Sequence, residues 1–176
     1  LGVAFGQNVR GGASDQNLVL LDGIRVYNPY HAYGLFSTID PDVVRTAEVY
    51  TGAFPADFGG RLSSVTNIYT RDGNSERHSA RFNINFLSAK LELEGPISEG
   101  IQALVTARKS LFSTTFREFL HQPAPLSFYD GLAKISFKSA HSQDRFSVQV
   151  IATGDQLSSG SVSEPSYTWS SRAAAF

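Results

Sequence analysis

The chain contains no cysteine, so neither a disulfide nor a thiolate metal site is open to it. It has no run of about 18 apolar residues, which excludes a membrane-spanning helix but not a membrane strand; a strand needs only about 10 residues of alternating character. An excess of one charge is missing too. The formal net charge is -1, and Arg and Lys are spread singly, so there is no basic block to recruit nucleic acid. No glycine-rich phosphate loop followed by Lys-Ser or Lys-Thr occurs, and no Gly-x-Ser-x-Gly nucleophile elbow. Asp22 and Asp40 each have a sufficient local role, in a turn and in a helix cap, so they do not form a catalytic carboxylate pair. His31, His78, His121 and His141 are scattered without a metal-like neighbour at short spacing, and read as isolated surface histidines. The expectation is a non-enzyme with no cofactor and no metal.

What is present is 176 residues, 41% hydrophobic and 18% charged, the size of one domain or of two unequal pieces. The sequence starts at Leu1 without an initiator methionine and stops within a strand-like segment, so both ends read as cuts through a longer protein. Its character changes near Asp72-Gly73. Before that point, Leu18 to Leu21, Asp22-Gly23 and Ile24 to Val26 predict a β-hairpin, because Asp-Gly suits a turn with positive φ at both central residues. Tyr27 to Ser37 reads as an aromatic-rich loop broken by Pro29 and Gly34. Asp40-Pro41-Asp42 predicts a short helix with Asp40 as N-cap and Pro41 in the first position. Strands are expected over Thr46 to Thr51 and Leu62 to Tyr69, with an irregular Gly52 to Gly60 between them. The pieces suggest a small mixed α/β domain.

After Asp72-Gly73 the pattern has a period of two. Ala80, Phe82, Ile84 and Phe86 alternate with Arg81, Asn83 and Asn85, and Ala89, Leu91 and Leu93 with Lys90, Glu92 and Glu94. Val105 and Ala107, Ala133 to Phe137 and Phe146 to Ala152 continue the theme, and a sixth strand is expected near Tyr167. Gly95 to Gly100 and His141 to Asp144 are short connections, whereas Glu118 to Ser127 and Leu157 to Ser166 are long and polar. Short turns at one end and long loops at the other are the habit of an outer-membrane barrel. Alternation alone fits a soluble antiparallel sheet with one wet face equally well.

Three stretches resolve that choice by resemblance. Val9-Arg10-Gly11-Gly12 with Gln16 to Gly23, Ile39 to Tyr50, and Gly52 through Gly59-Gly60-Arg61-Leu62-Ser63-Ser64-Val65 resemble, in order, the plug of TonB-dependent receptors. Leu93-Glu94-Gly95-Pro96-Ile97 is similar to the first periplasmic turn of the barrel in that family, and Phe128-Tyr129-Asp130 to the entry of a later strand. The wording is nearest to receptors of the Bacteroidota. The resemblance implies an α/β plug remnant over 1–73, followed over 74–176 by the first antiparallel strands of a large transmembrane β-barrel. Barrels of this class have about 22 strands, so roughly a quarter is present.

The function implied is proton-motive-force-driven uptake of a scarce nutrient across the outer membrane: an iron chelate, cobalamin, an oligosaccharide or a peptide. The implied partners are TonB with its inner-membrane motor, outer-membrane lipid and the nutrient, with no nucleic acid. In the family the loop after the hairpin lies at the outward tip of the plug, which makes Tyr27, Asn28, Tyr30, His31 and Tyr33 candidates for ligand contact; tyrosines offer rigid area with a polar end. Arg61 facing Glu94, joined by Arg10, Arg108, Arg45 and Arg81, is the candidate plug-to-barrel ionic coupling. The alternative is a soluble β-rich carbohydrate-binding module. The two differ in whether Phe82, Ile84, Phe86, Leu91, Leu93, Phe146, Val148 and Val150 face lipid or a protein core.

Overall fold

The computed structural model describes residues 17–31, 36–51, 64–111, 126–139, 144–157 and 167–175. The chain divides between Arg71 and Asp72 into two compact units.

In the first unit, β1 (Asn17–Leu21) turns back through Asp22-Gly23 into the two-residue β2 (Ile24–Arg25). Asp22 has φ 46° and Gly23 φ 83°, the double positive-φ geometry expected of Asp-Gly. The other edge of β1 pairs in parallel with β6 (Ser64–Thr70), and β6 pairs antiparallel with β5 (Val44–Tyr50), giving the sheet order β2-β1-β6-β5. Asp22 stitches hairpin to sheet. Its backbone N–H donates to the Ile68 carbonyl at 2.8 Å, and its carboxylate accepts from the Thr70 N–H at 2.9 Å and from the Thr70 hydroxyl. Leu18, Leu21, Ile24, Ile39, Val43 and Val65 are the buried apolar side chains of this unit.

The expected short helix is a single 3₁₀ turn, Pro41–Val43. Asp40 caps it by accepting from the Asp42 N–H at 3.0 Å, and Pro41 opens it. No α-helix occurs among the described residues, so the α/β expectation reduces here to strands plus this turn. Where a structureless loop was expected, β3 (Tyr30–His31) and β4 (Phe36–Ser37) form a minimal antiparallel ladder. Pro29 does not interrupt it, because Pro29 only accepts there: its carbonyl takes the Thr38 N–H at 3.0 Å.

The second unit is one six-stranded sheet of sequential antiparallel neighbours: β7 (Ser79–Ile84), β8 (Ser88–Ser98), β9 (Ile101–Ser110), β10 (Leu126–Lys138), β11 (Arg145–Leu157) and β12 (Tyr167–Ala175). It is an open sheet with β7 and β12 at its edges. The first short connection is tighter than the sequence suggested. Gly95 to Ser98 remain in β8, with a register shift between Pro96 and Ser98, and only Glu99 and Gly100 turn. The antiparallel order brings Lys138 and Arg145 to the same end, and Ile84, Ser88, Ser110, Leu126, Leu157 and Tyr167 to the other. The 85–87 connection is also short, because the Asn85 side-chain carbonyl accepts from the N–H groups of Leu87 and Ser88, each at 2.9 Å.

Asp22→Ala removes both acceptors of Thr70, a residue only 1% exposed. Leaving buried donors unsatisfied costs about 1–3 kcal/mol. The urea midpoint of the first unit, read from a fluorophore on β5 in the full-length protein, is expected to drop accordingly; an unchanged midpoint would show that the Asp22–Thr70 link contributes nothing.

Candidate functional site

The period-two pattern puts charged and hydroxyl side chains of β7 to β11 on one face of the second unit's sheet, and over β8 to β11 that face is the buried one, while on the edge strand β7 it is exposed. Glu92 is 1% exposed, Gln149 2%, Asp155 4%, and Thr106, Asp130, Lys134 and Ser136 are similarly covered. On the opposite face Phe82 is 69% exposed and Phe146 52%, with Ile84, Leu91, Leu93, Val105, Ile135, Val148 and Val150 also exposed. Polar in and apolar out inverts the arrangement of a water-soluble sheet.

A charge taken from water must be paired or it is very costly, and registry supplies the partners. Arg81 on β7 lies opposite Glu92 on β8, and its Nη2 stands 3.1 Å from one oxygen of Glu92 and 3.1 Å from one of Glu94. The two glutamates are two residues apart in a strand, so they share a face and one guanidinium reaches both. Arg108 lies opposite Asp130 across β9 and β10; Nε donates at 2.8 Å and Nη2 stands at 2.7 Å from the same carboxylate oxygen. The Arg108 guanidinium also lies 5.5 Å from the Phe128 ring centroid, within cation–π range.

A third cluster gathers around Asp72, at the start of the unit. The Ser136 hydroxyl donates to it at 2.6 Å, Lys134 Nζ stands at 3.3 Å and Arg145 Nη1 at 3.6 Å. Burial alone would push the Asp72 pKa up. The Ser136 hydrogen bond and the Lys134 and Arg145 charges together outweigh it and hold the carboxyl below its usual range.

Among the predicted coupling residues, Glu94 and Arg108 therefore sit on the polar face with partners in their own sheet. Glu94 accepts from Arg81 and, through its second oxygen, from the Asn74 N–H at 3.1 Å. Arg10 and Arg61 lie outside the described residues, and Arg45 is an exposed residue of β5. Asp72, Glu92, Asp130, Lys134, Ser136 and Arg145 were not singled out from sequence. Alternation assigned Glu92, Lys134, Ser136 and Arg145 to polar rows, but which residue lies across from which depends on register, which alternation does not encode.

In the first unit, Tyr27 is 78% exposed and Asn28 is exposed, its carbonyl accepting from the Thr38 hydroxyl at 3.4 Å. Tyr30 is half-buried, and burial raises its hydroxyl pKa, so it stays a protonated donor at neutral pH. Tyr33 lies outside the described residues. His31 is 0% exposed, which corrects its reading as a surface histidine; pairing of β3 with β4 turns it inward. His78 is exposed, and His121 and His141 lie outside the described residues. Among the described residues no three His, Cys, Asp or Glu side chains group as metal ligands, and no helix is long and apolar enough to cross a membrane.

Comparison with known proteins bears on the first unit. Residues 2–66 match the family model of the TonB-dependent Receptor Plug Domain. The chain is 29% identical over 79 residues to the TonB-dependent transporter Oar of Myxococcus xanthus, a match covering 44% of this chain and 7% of that relative's length. The chain thus spans a small fraction of the relative it matches, and both matches support a relationship to the TonB-dependent receptors, which are transporters rather than enzymes.

Two outcomes follow from the polar face. Arg108→Ala removes the charged partner 2.7 Å from the buried Asp130 carboxylate and is expected to cost about 3–5 kcal/mol, whereas Arg108→Met with Asp130→Leu recovers most of that loss; urea titration of the full-length protein compares them, and equal losses in both variants would contradict the pairing. Because the folded pKa of Asp72 is lowered, its contribution is fully present above the ordinary aspartate value of about 3.9 and fades as pH falls through the lower folded value. The stability difference between wild type and Asp72→Asn should accordingly be constant from pH 7 to about 5 and shrink towards pH 3.

Proposed function

We propose that the first unit, ending at Arg71, forms the end of a plug and the second unit, from Asp72, the first strands of the barrel of an outer-membrane TonB-dependent transporter, a boundary two residues earlier than the sequence suggested. Such a protein takes up a scarce nutrient (an iron chelate, cobalamin, an oligosaccharide or a peptide) using the proton-motive force delivered through TonB. The observation that carries this reading is the inverted sheet. A buried charged face beside an exposed apolar one is unfavourable in water on both sides, but suits a wall with lipid outside and a plugged polar lumen inside.

Detail on the apolar face supports the same reading. Phe137 and Phe146 are cross-strand partners with ring centroids 5.8 Å apart, near the end of the short turns. Towards the long-connection end Tyr129 lies over Gly154, where any side chain would collide with its ring. Phe137 lies eight positions after Tyr129 along β10. At about 3.3 Å per residue and a tilt near 45°, they stand roughly 19 Å apart along the membrane normal, somewhat less than the apolar band of about 25 Å that aromatic girdles flank.

Within this reading the exposed Tyr27 and Asn28, with Tyr30, Tyr33 and the neighbouring His31, belong to the ligand-facing tip of the plug. The salt-bridged polar face, including Glu94 and Arg108, is the surface against which Arg61 and Arg10 of the plug would hold. A soluble carbohydrate-binding module would instead bury Phe82, Leu93 and Val150 in its core.

Cell fractionation separates the two: the transporter is recovered in the outer membrane with a heat-modifiable band, the soluble module in the periplasm or medium. Leu93→Arg provides the energetic counterpart. Facing lipid near the midplane it is expected to cost about 2–4 kcal/mol of barrel stability, whereas on a water-exposed face it would stay within about 0.5 kcal/mol.

A further inference from the structure

Two residues joined by one peptide bond are held by different parts of the molecule. The Arg71 N–H donates to the Val43 carbonyl at 2.8 Å and its Nε to the Asp42 carbonyl at 2.8 Å, so Arg71 is tied to the 3₁₀ turn of the first unit. Asp72 is tied to Ser136 and Lys134 on β10 and to Arg145 on β11. From there the chain crosses the polar face of the sheet towards its edge strand. Gly73 lies so close to β9 that a Cβ would overlap the Ala103 carbonyl. The next N–H, that of Asn74, reaches Glu94 on β8. The Asn74 side-chain carbonyl then accepts from the Glu76 and Arg77 N–H groups at 2.8 and 3.1 Å, closing a tight turn that delivers the chain to β7 at Ser79.

We propose that residues 72–78 are a fixed strap of the second unit, latched by Asp72 and seated by Gly73, so that any displacement or unfolding of the first unit ends at the Arg71–Asp72 link. A flexible linker needs none of these contacts. It would tolerate a side chain at Gly73 and would leave the Asn74, Glu76 and Arg77 N–H groups to water. Here strap residues are bound in succession to β10 and β11, β9 and β8, each through side chains or backbone of the sheet. The strap is also joined to the salt-bridge network, because Glu94 holds Asn74 with one oxygen and Arg81 with the other.

The anchoring stands on this geometry alone, and its consequence for transport rests on the function proposed above. In a transporter whose plug is pulled from one side, the strap fixes the point beyond which extension does not propagate into the barrel wall. Asp72 and Gly73 are positioning residues in this scheme and touch no substrate.

The test is hydrogen exchange, read by mass spectrometry across a urea series on the full-length protein. In wild type, the amides of Asn74, Glu76 and Arg77 are expected to keep their protection together with β8 to β10 at urea concentrations that have already released β5 and β6. Asp72→Asn should speed exchange at those three amides by about tenfold or more, the loss expected when a charge-assisted hydrogen bond is removed, while β8 to β10 stay protected. Gly73→Ala should do the same without changing any charge, and it decides the matter if Asp72→Asn also loosens the strands. Release of 74–77 together with β5 and β6 in wild type, or unchanged protection in Gly73→Ala, would overturn the strap. Neither result depends on where the protein is found in the cell, so failure of the strap and failure of the transporter reading are distinguishable.

Discussion

The cost of taking charge out of water is the constraint on which the second unit depends. Glu92, Glu94, Asp130 and Lys134 are nearly or wholly inaccessible to solvent, and a side chain of this kind is tolerable only if an opposite charge and hydrogen-bond donors come with it. Antiparallel registry answers that demand by placing Arg81 opposite Glu92 and Arg108 opposite Asp130. Slipping either pairing by one residue would turn Arg81 or Arg108 onto the apolar face and take its charge away from the buried carboxylates. The charges therefore fix register as well as filling a face. The apolar rows on the other side follow from the same alternation.

The first unit solves a smaller version of the same problem. It lacks a helix long enough to organise its sheet among the described residues, and polar contacts serve instead. Asp22 ties the hairpin turn to the end of β6, Asp40 caps the 3₁₀ turn, and Arg71 reaches back to that turn. Each makes a hydrogen bond with a backbone group of a neighbouring segment or turn. The boundary between Arg71 and Asp72 is then the place where one set of polar contacts ends and another begins.

Local chemistry was legible in the sequence and registry was not. Asp22-Gly23 specified its turn because few residue pairs accept positive φ twice, and Asp40-Pro41 specified its cap because the donor to be satisfied is two residues away. The alternation of Phe82, Leu91, Leu93 and Val148 with charged or polar neighbours announced two unlike faces. It was silent on which face would be buried, since period two is the same for a lipid-facing and a water-facing sheet. The β3–β4 ladder and the inward turn of His31 were missed because an aromatic segment with Pro and Gly carries no periodic signal. Asp72 was visible only as a break in pattern; its partners, Ser136 and Lys134, are more than sixty residues away in the chain.

The central claim is that the apolar face of β7 to β12 meets lipid. These 176 residues hold no cysteine, so in a cysteine-free variant of the full-length protein reconstituted in bilayers, single cysteines at Leu93, Val150, Ser136 and Thr106 can each carry a polarity-sensitive fluorophore. Labels at 93 and 150 should emit as in hydrocarbon and be quenched by lipid-borne but not aqueous quenchers, while labels at 136 and 106 escape the lipid quencher. Aqueous quenching at 93 and 150, or no partition of the protein into bilayers, would contradict the account.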